Sequence, residues 1–283
     1  MKPFGSLLIC GVLAGVIGCK KDATFTEPLP DYAAIHWVNA VPDTGQQDMR
    51  VVDVPSNAGL FDANFRGVKS MFYEPILAGS RTIQVFNSST DPGISSQVLA
   101  VATQNFVVNA GYTFIHAGFA RTGFTPVHAV LVIQDTPPTP DTLSIAFRAI
   151  NTGAGLGPVD VWAVRRPVNA LTVDSLPDAR GAANVAFGTA SAYVTIAKDV
   201  AGADSVRIVF TTAGTKTVLA SVLAPPGVAG TTSLDPIAGS RIGGTVLTAV
   251  LVPRSVAGSQ APAGFTTPSA LYLVDRRPPG TAR

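Results

Sequence analysis

Residues Ile35–Asp48 (IHWVNAVPDTGQQD) and Phe147–Asp160 (FRAINTGAGLGPVD) lie over one another without a gap. Asn39 falls on Asn151, and Asp48 on Asp160. Later stretches keep the same order: SMFYEPILAGSRTIQVF parallels SAYVTIAKDVAGADSVRIVF, and PVHAVLVIQDTPPTP parallels SALYLVDRRPPG. This duplication constrains the fold more than any single motif, because whatever the first copy forms, the second must form too. Two copies are too few for a solenoid, so the pattern predicts a tandem pair of domains.

Each copy reads as β structure. Thr82-Ile83-Gln84-Val85-Phe86 alternates, with Ile83 and Val85 on one side. Tyr112, Phe114 and His116 likewise share a face, and period two marks a half-buried strand. Between Tyr32 and Asp135 the short runs suggest about seven strands, the count expected of a sandwich. Asp135-Thr-Pro-Pro-Thr-Pro-Asp141 cannot continue a central strand and marks the boundary. The expected fold is all-β: antiparallel β-sandwich domains over 32–136 and 141–278. The second carries two longer connections, Asn169–Asn184 and Pro225–Gly239, of a length more often functional than structural. Charged residues make up only 13% of the chain against 47% hydrophobic, which excludes a disordered polyelectrolyte. A net charge of +2 gives no footprint for nucleic acid.

The beginning of the chain supplies an address. Lys2 precedes an apolar run, Leu7–Gly18, too short to span a bilayer, where a helix needs roughly 20 residues. Such a basic start and short apolar core read as a secretory signal over residues 1–18. Val16-Ile17-Gly18-Cys19 resembles the lipobox of bacterial lipoproteins. The resemblance implies cleavage before Cys19, lipid on its thiol and acylation of the new amino terminus; two or more chains anchor stably where one does not. Lys20, in place of the aspartate associated with inner-membrane retention, points to the outer membrane. Residues 19–31, with prolines and no period, read as a tether. Cys10 would leave with the signal and Cys19 would carry lipid, so the expected mature domains hold no disulfide, thiolate nucleophile or cysteine-based metal site.

The start IHWVNAVPD, then a strand after a short turn, then Y-x-x-I-x-A-G-x-x-x-I-x-V-F, then the whole order again, resembles the bacterial domain-of-unknown-function family 4397. Ile35, Trp37, Val38, Asn39, Ala40, Pro42 and Asp43 fit its opening pattern, and Val159-Asp160-Val161-Trp162 fit its next strand. Asp48-Met49-Arg50 and Gly153–Gly155 depart from it. The resemblance spans about Ala33 to Pro278 and implies secreted or lipid-anchored, immunoglobulin-like sandwich repeats. It brings no catalytic residues.

His36, His116 and His128 are the only histidines and would bind zinc only if their strands met. Asp43, Asp48 and Asp53 sit around a turn where calcium could bind, although Asp43 more simply bonds nearby turn amides. Asn39 and Asn151 are expected to bond backbone at strand ends. Gly153–Gly157 lies between strands and not before a helix, so it is no nucleotide loop. No G-x-S-x-G, H-E-x-x-H or P-loop occurs. Phe61, Phe65 and Phe72 with Arg66 and Lys69 could form a sugar- or partner-binding loop, whereas Trp37 is expected in the core. Arg165-Arg166 and Arg276-Arg277 end matching strands, as solvated ends or facing anionic lipid.

The expectation is therefore a non-enzymatic, lipid-anchored envelope protein, held to the membrane through Cys19 and binding another envelope protein or a glycan. It would need no cofactor or metal and bind no nucleic acid. The competing reading is an extracytoplasmic carbohydrate-binding module.

Overall fold

A computed structural model describes residues 30–54, 59–166, 180–199 and 205–279. The signal stretch, Cys19 and nearly all of the tether lie outside the described residues. The described residues form sixteen strands and one short helix. The first eight strands are β1 (Tyr32–Ala40), β2 (Gln47–Val51), β3 (Leu60–Ala63), β4 (Glu74–Leu77), β5 (Gly79–Asn87), β6 (Val98–Phe106), β7 (Gly111–Ala117) and β8 (Ala129–Asp135). A single helical turn, α1 (Pro92–Ser95), capped by Asp91, links β5 to β6. The second eight are β9 (Ser144–Asn151), β10 (Val159–Arg166), β11 (Arg180–Val185), β12 (Val194–Ala197), β13 (Ser205–Thr212), β14 (Val218–Leu223), β15 (Val246–Val252) and β16 (Ser269–Arg276).

The expected all-β sandwich fold is present, and the duplication extends to strand order. One pair of sheets runs β4-β1-β7-β8 and β3-β2-β5-β6; the other runs β12-β9-β15-β16 and β11-β10-β13-β14. Adding eight to each strand of the first half gives the second. The sheets are not purely antiparallel: β1 pairs parallel with β7, and β9 with β15.

Local chemistry explains the shared geometry. Asp48 Oδ1 accepts the amide of Asp62 at 2.9 Å, and Asp160 Oδ1 accepts that of Asn184 at 2.8 Å. Asp62 and Asn184 both have φ near +50°, at 50° and 54°, a region that Asn and Asp tolerate best among residues with a side chain. Each sits where the pairing to the preceding strand shifts register. Asn39 donates to the Ala63 carbonyl and accepts from the Val41 amide. Asn151 donates to Val185 and Gly157 carbonyls and accepts from Gly153. These repeated side chains satisfy strand-end backbone groups that would otherwise be buried unpaired.

Each half has its own core. Ile35, Trp37, Met49, Ile83, Val85 and Phe114 fill the first. Phe147, Val161, Ile208, Phe210, Leu247 and Tyr272 fill the second. Volume is exchanged between equivalent sites: Trp37 and Phe114, 5.1 Å apart, stand where Ala149 and Ala249 stand in the second half. Complete burial of a side chain such as Ile or Phe is worth roughly 1.5–3 kcal/mol.

The alternation in β7 predicted a half-buried strand, yet both its faces are covered. Tyr112 and Phe114 face the first core, while Ile115 and Ala117 face a third cluster with Val38, Ala40, Ile150, Val250, Val252 and Leu273. That cluster is the seam between the halves, so Asp31–Arg283 forms one compact unit.

Candidate functional site

The seam changes character along its length. At the end where β1, β7, β9 and β15 begin, it is polar. His36 and Arg148 occupy equivalent places on β1 and β9, each facing the opposite half. Thr113 and Thr248 lie beside them in register, Asp135 closes β8, Asp275 is the last but one residue of β16, and Tyr73 and Tyr193 precede β4 and β12. The result is one constellation of eight side chains, four from each half, related by the duplication.

Within each half the tyrosine and threonine hydroxyls hold the aspartate. Tyr73 donates to Asp135 at 2.7 Å and Thr113 at 2.9 Å. Tyr193 donates to Asp275 at 2.7 Å, and Thr248 donates to the same oxygen. Across the seam Asp135 meets Arg148 and Asp275 meets His36. Arg148 bonds Asp135 directly, its Nε donates to Thr248 at 2.8 Å, and its guanidinium lies 4.8 Å over the Tyr193 ring. His36 stacks on Tyr73 at 3.9 Å and brings Nε2 to 3.4 Å from Asp275 Oδ1. His36, Thr113, Asp135, Arg148, Thr248 and Asp275 are all buried.

Burial dominates the electrostatics. It pushes the Asp135 carboxyl above its ordinary range, against the pull of Arg148. Burial also works against the Arg148 charge, but Asp135 and Asp275 outweigh it and hold the guanidinium above its usual value. Both tyrosines are driven upward by burial and by the carboxylates, so they stay protonated donors. Most of these groups are turned toward one another and so fasten the halves, but His36 Nδ1 and Nε2 and Asp275 Oδ1 are buried without a hydrogen-bond partner.

A second polar chain lies at the other end of the first half. Gln47 donates its amide to Thr44 Oγ1 at 2.6 Å, which turns Oε1 toward His116 Nδ1 at 2.7 Å. His116 Nδ1 must then carry the proton, leaving Nε2 to accept from His128 Nδ1 at 3.0 Å. Burial, and secondarily His128, hold His116 neutral down to about 3. Two of the three histidines are thus brought together, while His36 sits in the seam. No group of three or more metal-ligating side chains occurs among the described residues.

The other candidates fall as follows. Asp43 accepts the amides of Ala120 and Arg121, both at 2.9 Å, and so ties down a distant loop and not its own turn. Asp48 holds the bulge and Arg50, and Asp53 accepts the Thr82 amide. Trp37 is in the core. Trp162 is buried too and donates to Thr211 at 3.0 Å. The aromatic loop is largely consumed by packing: Phe65 is buried, Phe72 packs on the second core, and Arg66 donates to the carbonyls of Pro253 and Thr267. Only Phe61 of that group is an exposed aromatic. Lys69 pairs with Glu74 at 3.7 Å. Gly153–Gly157 is the turn between β9 and β10. Arg276 donates to Thr139, and Arg277 stacks on Phe72; the Arg165 and Arg166 side chains lie outside the described residues. So does most of Asn169–Asn184. Pro225–Gly239 is described and borders a cavity of about 500 Å³ with Leu143, Lys198, Asp199, Arg241 and Ile242 in its wall.

The seam constellation was not singled out from the sequence, although a signal was present. The gap-free overlay sets His36 on Arg148, and an arginine inside an apolar strand calls for a buried partner.

The sequence matches no family model and no curated protein. Among solved structures, a protein described as a candidate cell adhesion protein from Parabacteroides distasonis aligns at 9% identity and a TM-score of 0.19, covering 87% of this chain and all of that one. A leucine-rich repeat protein from Bacteroides thetaiotaomicron aligns at 11% identity and a TM-score of 0.17, covering 82% of this chain and 27% of that one. Likenesses this faint carry no argument. No described helix is long and apolar enough to cross a membrane.

Proposed function

We propose that this chain is a non-enzymatic envelope protein, anchored to the outer membrane through lipid on Cys19, that presents two fastened immunoglobulin-like β-sandwiches as one rigid body for binding or spacing. One observation carries the reading: a buried set of ionisable side chains, Arg148 on Asp135 and His36 near Asp275, is spent between the halves. A catalytic site would instead aim such groups into open space where a substrate can sit. The carbohydrate-binding reading loses its best candidate, because Phe65 and Phe72 are packed and both tryptophans are buried.

The test has two parts. Intact mass of the protein purified from native membranes should show acyl chains on Cys19, and an unmodified Cys19 would defeat the anchor. Gentle crosslinking in those membranes should then recover a stoichiometric protein partner. Glycan co-purifying in its place would move the protein to the carbohydrate-binding class.

A further inference from the structure

We propose that the end of the molecule from which the tether leaves is a membrane-contact face, seated on the phospholipid surface in which Cys19 would be anchored; this rests on the anchored reading above. The halves point the same way. At one end Asp135 meets Arg148 and His36 meets Asp275; at the other, Val256 donates to Pro42 and Arg66 to Pro253. The starts of β1 and β9 therefore share an end, and Tyr32 opens β1 there.

Exposed apolar side chains gather at that end. The β6–β7 turn presents Val107 and Val108, and its Asn109 amide donates to the Tyr32 carbonyl, which sets the exposed Tyr32 beside them. The equivalent β14–β15 connection is the longer Pro225–Gly239 segment. There Val228 and Ile237 bond each other's backbone, and Thr231 bonds Leu234. This closed loop leaves Val228 57%, Leu234 66% and Ile237 54% exposed, with Leu143 at 68% beside it. Single exposed apolar residues are ordinary. Here they occupy the same connection in both halves, at the end nearest the tether.

The tether selects the occupant. A chain of twelve residues, the length of 19–30, spans roughly 20 Å as a coil, at about 5–6 Å times the square root of its length. An anchor at Cys19 thus keeps this end, and not the opposite one, within reach of the bilayer. Lys198 and Arg241 line the cavity next to Leu143 and Ile242, but the Asp199 carboxylate shares its wall, so these cations offer a lipid phosphate only a partly neutralised site. Acidic groups share the end: Asp31, Asp141, Asp235, and Asp53 beside Arg81. Net attraction therefore rests on apolar contact, and binding should depend only weakly on salt.

The experiment uses the chain from residue 19 onward carrying Cys19→Ala, sedimented with vesicles of phosphatidylethanolamine and phosphatidylglycerol at low and high salt. Reversible binding is expected, lost on dilution, whereas the lipidated wild type needs detergent. Leu234→Asp with Ile237→Asp should weaken that binding at least tenfold, with the thermal midpoint unchanged because both positions are exposed. Phe124→Asp with Val127→Asp, at the opposite end, should leave it unaltered. Absence of vesicle binding, or equal loss from both pairs, overturns the proposal. So does self-association abolished by the Leu234 and Ile237 changes, which would give the face to a second copy. The mass of Cys19 reports on the anchor separately, so the two ideas fail independently.

Discussion

At equivalent places the two halves chose different chemistry. Where the second half buries Val159 against Leu251, the first buries Gln47 against His116 and continues the chain to His128. Where the second half sends Arg148 across the seam, the first sends His36. Asn39 and Asn151, and Asp48 and Asp160, have not diverged. The difference separates two kinds of constraint. Groups that satisfy a half's own backbone are kept, because each half must close its own strand ends. Groups at the seam need only complement what they meet, so an arginine beside Asp135 can stand where the other half sets a histidine beside Asp275.

The largest effect should come from the stronger side of the seam. Arg148→Ala leaves Asp135 buried without its cation and should cost about 3–5 kcal/mol, the usual penalty for breaking a buried pair from one side. His36→Ala loses a stacking contact and a 3.4 Å approach, and should cost about 1–2 kcal/mol. Urea midpoints of the two variants measure the contrast. Equal costs would mean the seam is as symmetric in energy as it is in ancestry.

The histidine chain offers a sharper exchange. His116→Leu imports the second half's residue but strands Gln47 Oε1, at a cost of about 1–3 kcal/mol. Adding Gln47→Val should recover most of that, because an apolar pair of similar shape replaces both partners. The pH dependence has a definite sign. His116 in the fold is neutral down to about 3, while the unfolded chain protonates near ~6.5. The unfolded state therefore binds more protons between those values. Stability contributed by the neutral ring is complete above the unfolded value and falls as pH drops through the window, by at most about 1.4 kcal/mol per pH unit. Melting curves between pH 7 and 4 should show this slope in the wild type and its reduction in the double variant.

These contrasts also show what could be read from the chain. Ile83 and Val85 announced β5 because only one face of that strand is deeply buried, and alternation survives wherever one face meets water. Asn39, Asn151, Asp48 and Asp160 announced the duplication because their bonds are local to a half. The seam stayed hidden for the converse reason. In β7, Thr113, Ile115 and Ala117 face a partner surface supplied from far along the chain, and periodicity does not say what covers a face. Phe65 and Phe72 misled in the same way: aromatic residues between strands suit an exposed loop or a buried strap equally well, and only the tertiary contacts decide.

The smallest effect tests the comparison from its other side. Lys69 and Glu74 are partly exposed and 3.7 Å apart, and Val194 holds the position of Glu74 in the second half. If differences outside the seam and the cores are tolerated, Glu74→Val should shift stability by no more than about 0–1 kcal/mol, as expected when a surface pair is lost. Valine suits a pleated strand, which offsets part of the loss. The expected result is a urea midpoint close to wild type and insensitive to added salt. A loss comparable to that of Arg148→Ala would show that β4, which carries Glu74 and follows Tyr73 directly, transmits strain into the seam, and that the two halves are less interchangeable than their shared topology implies.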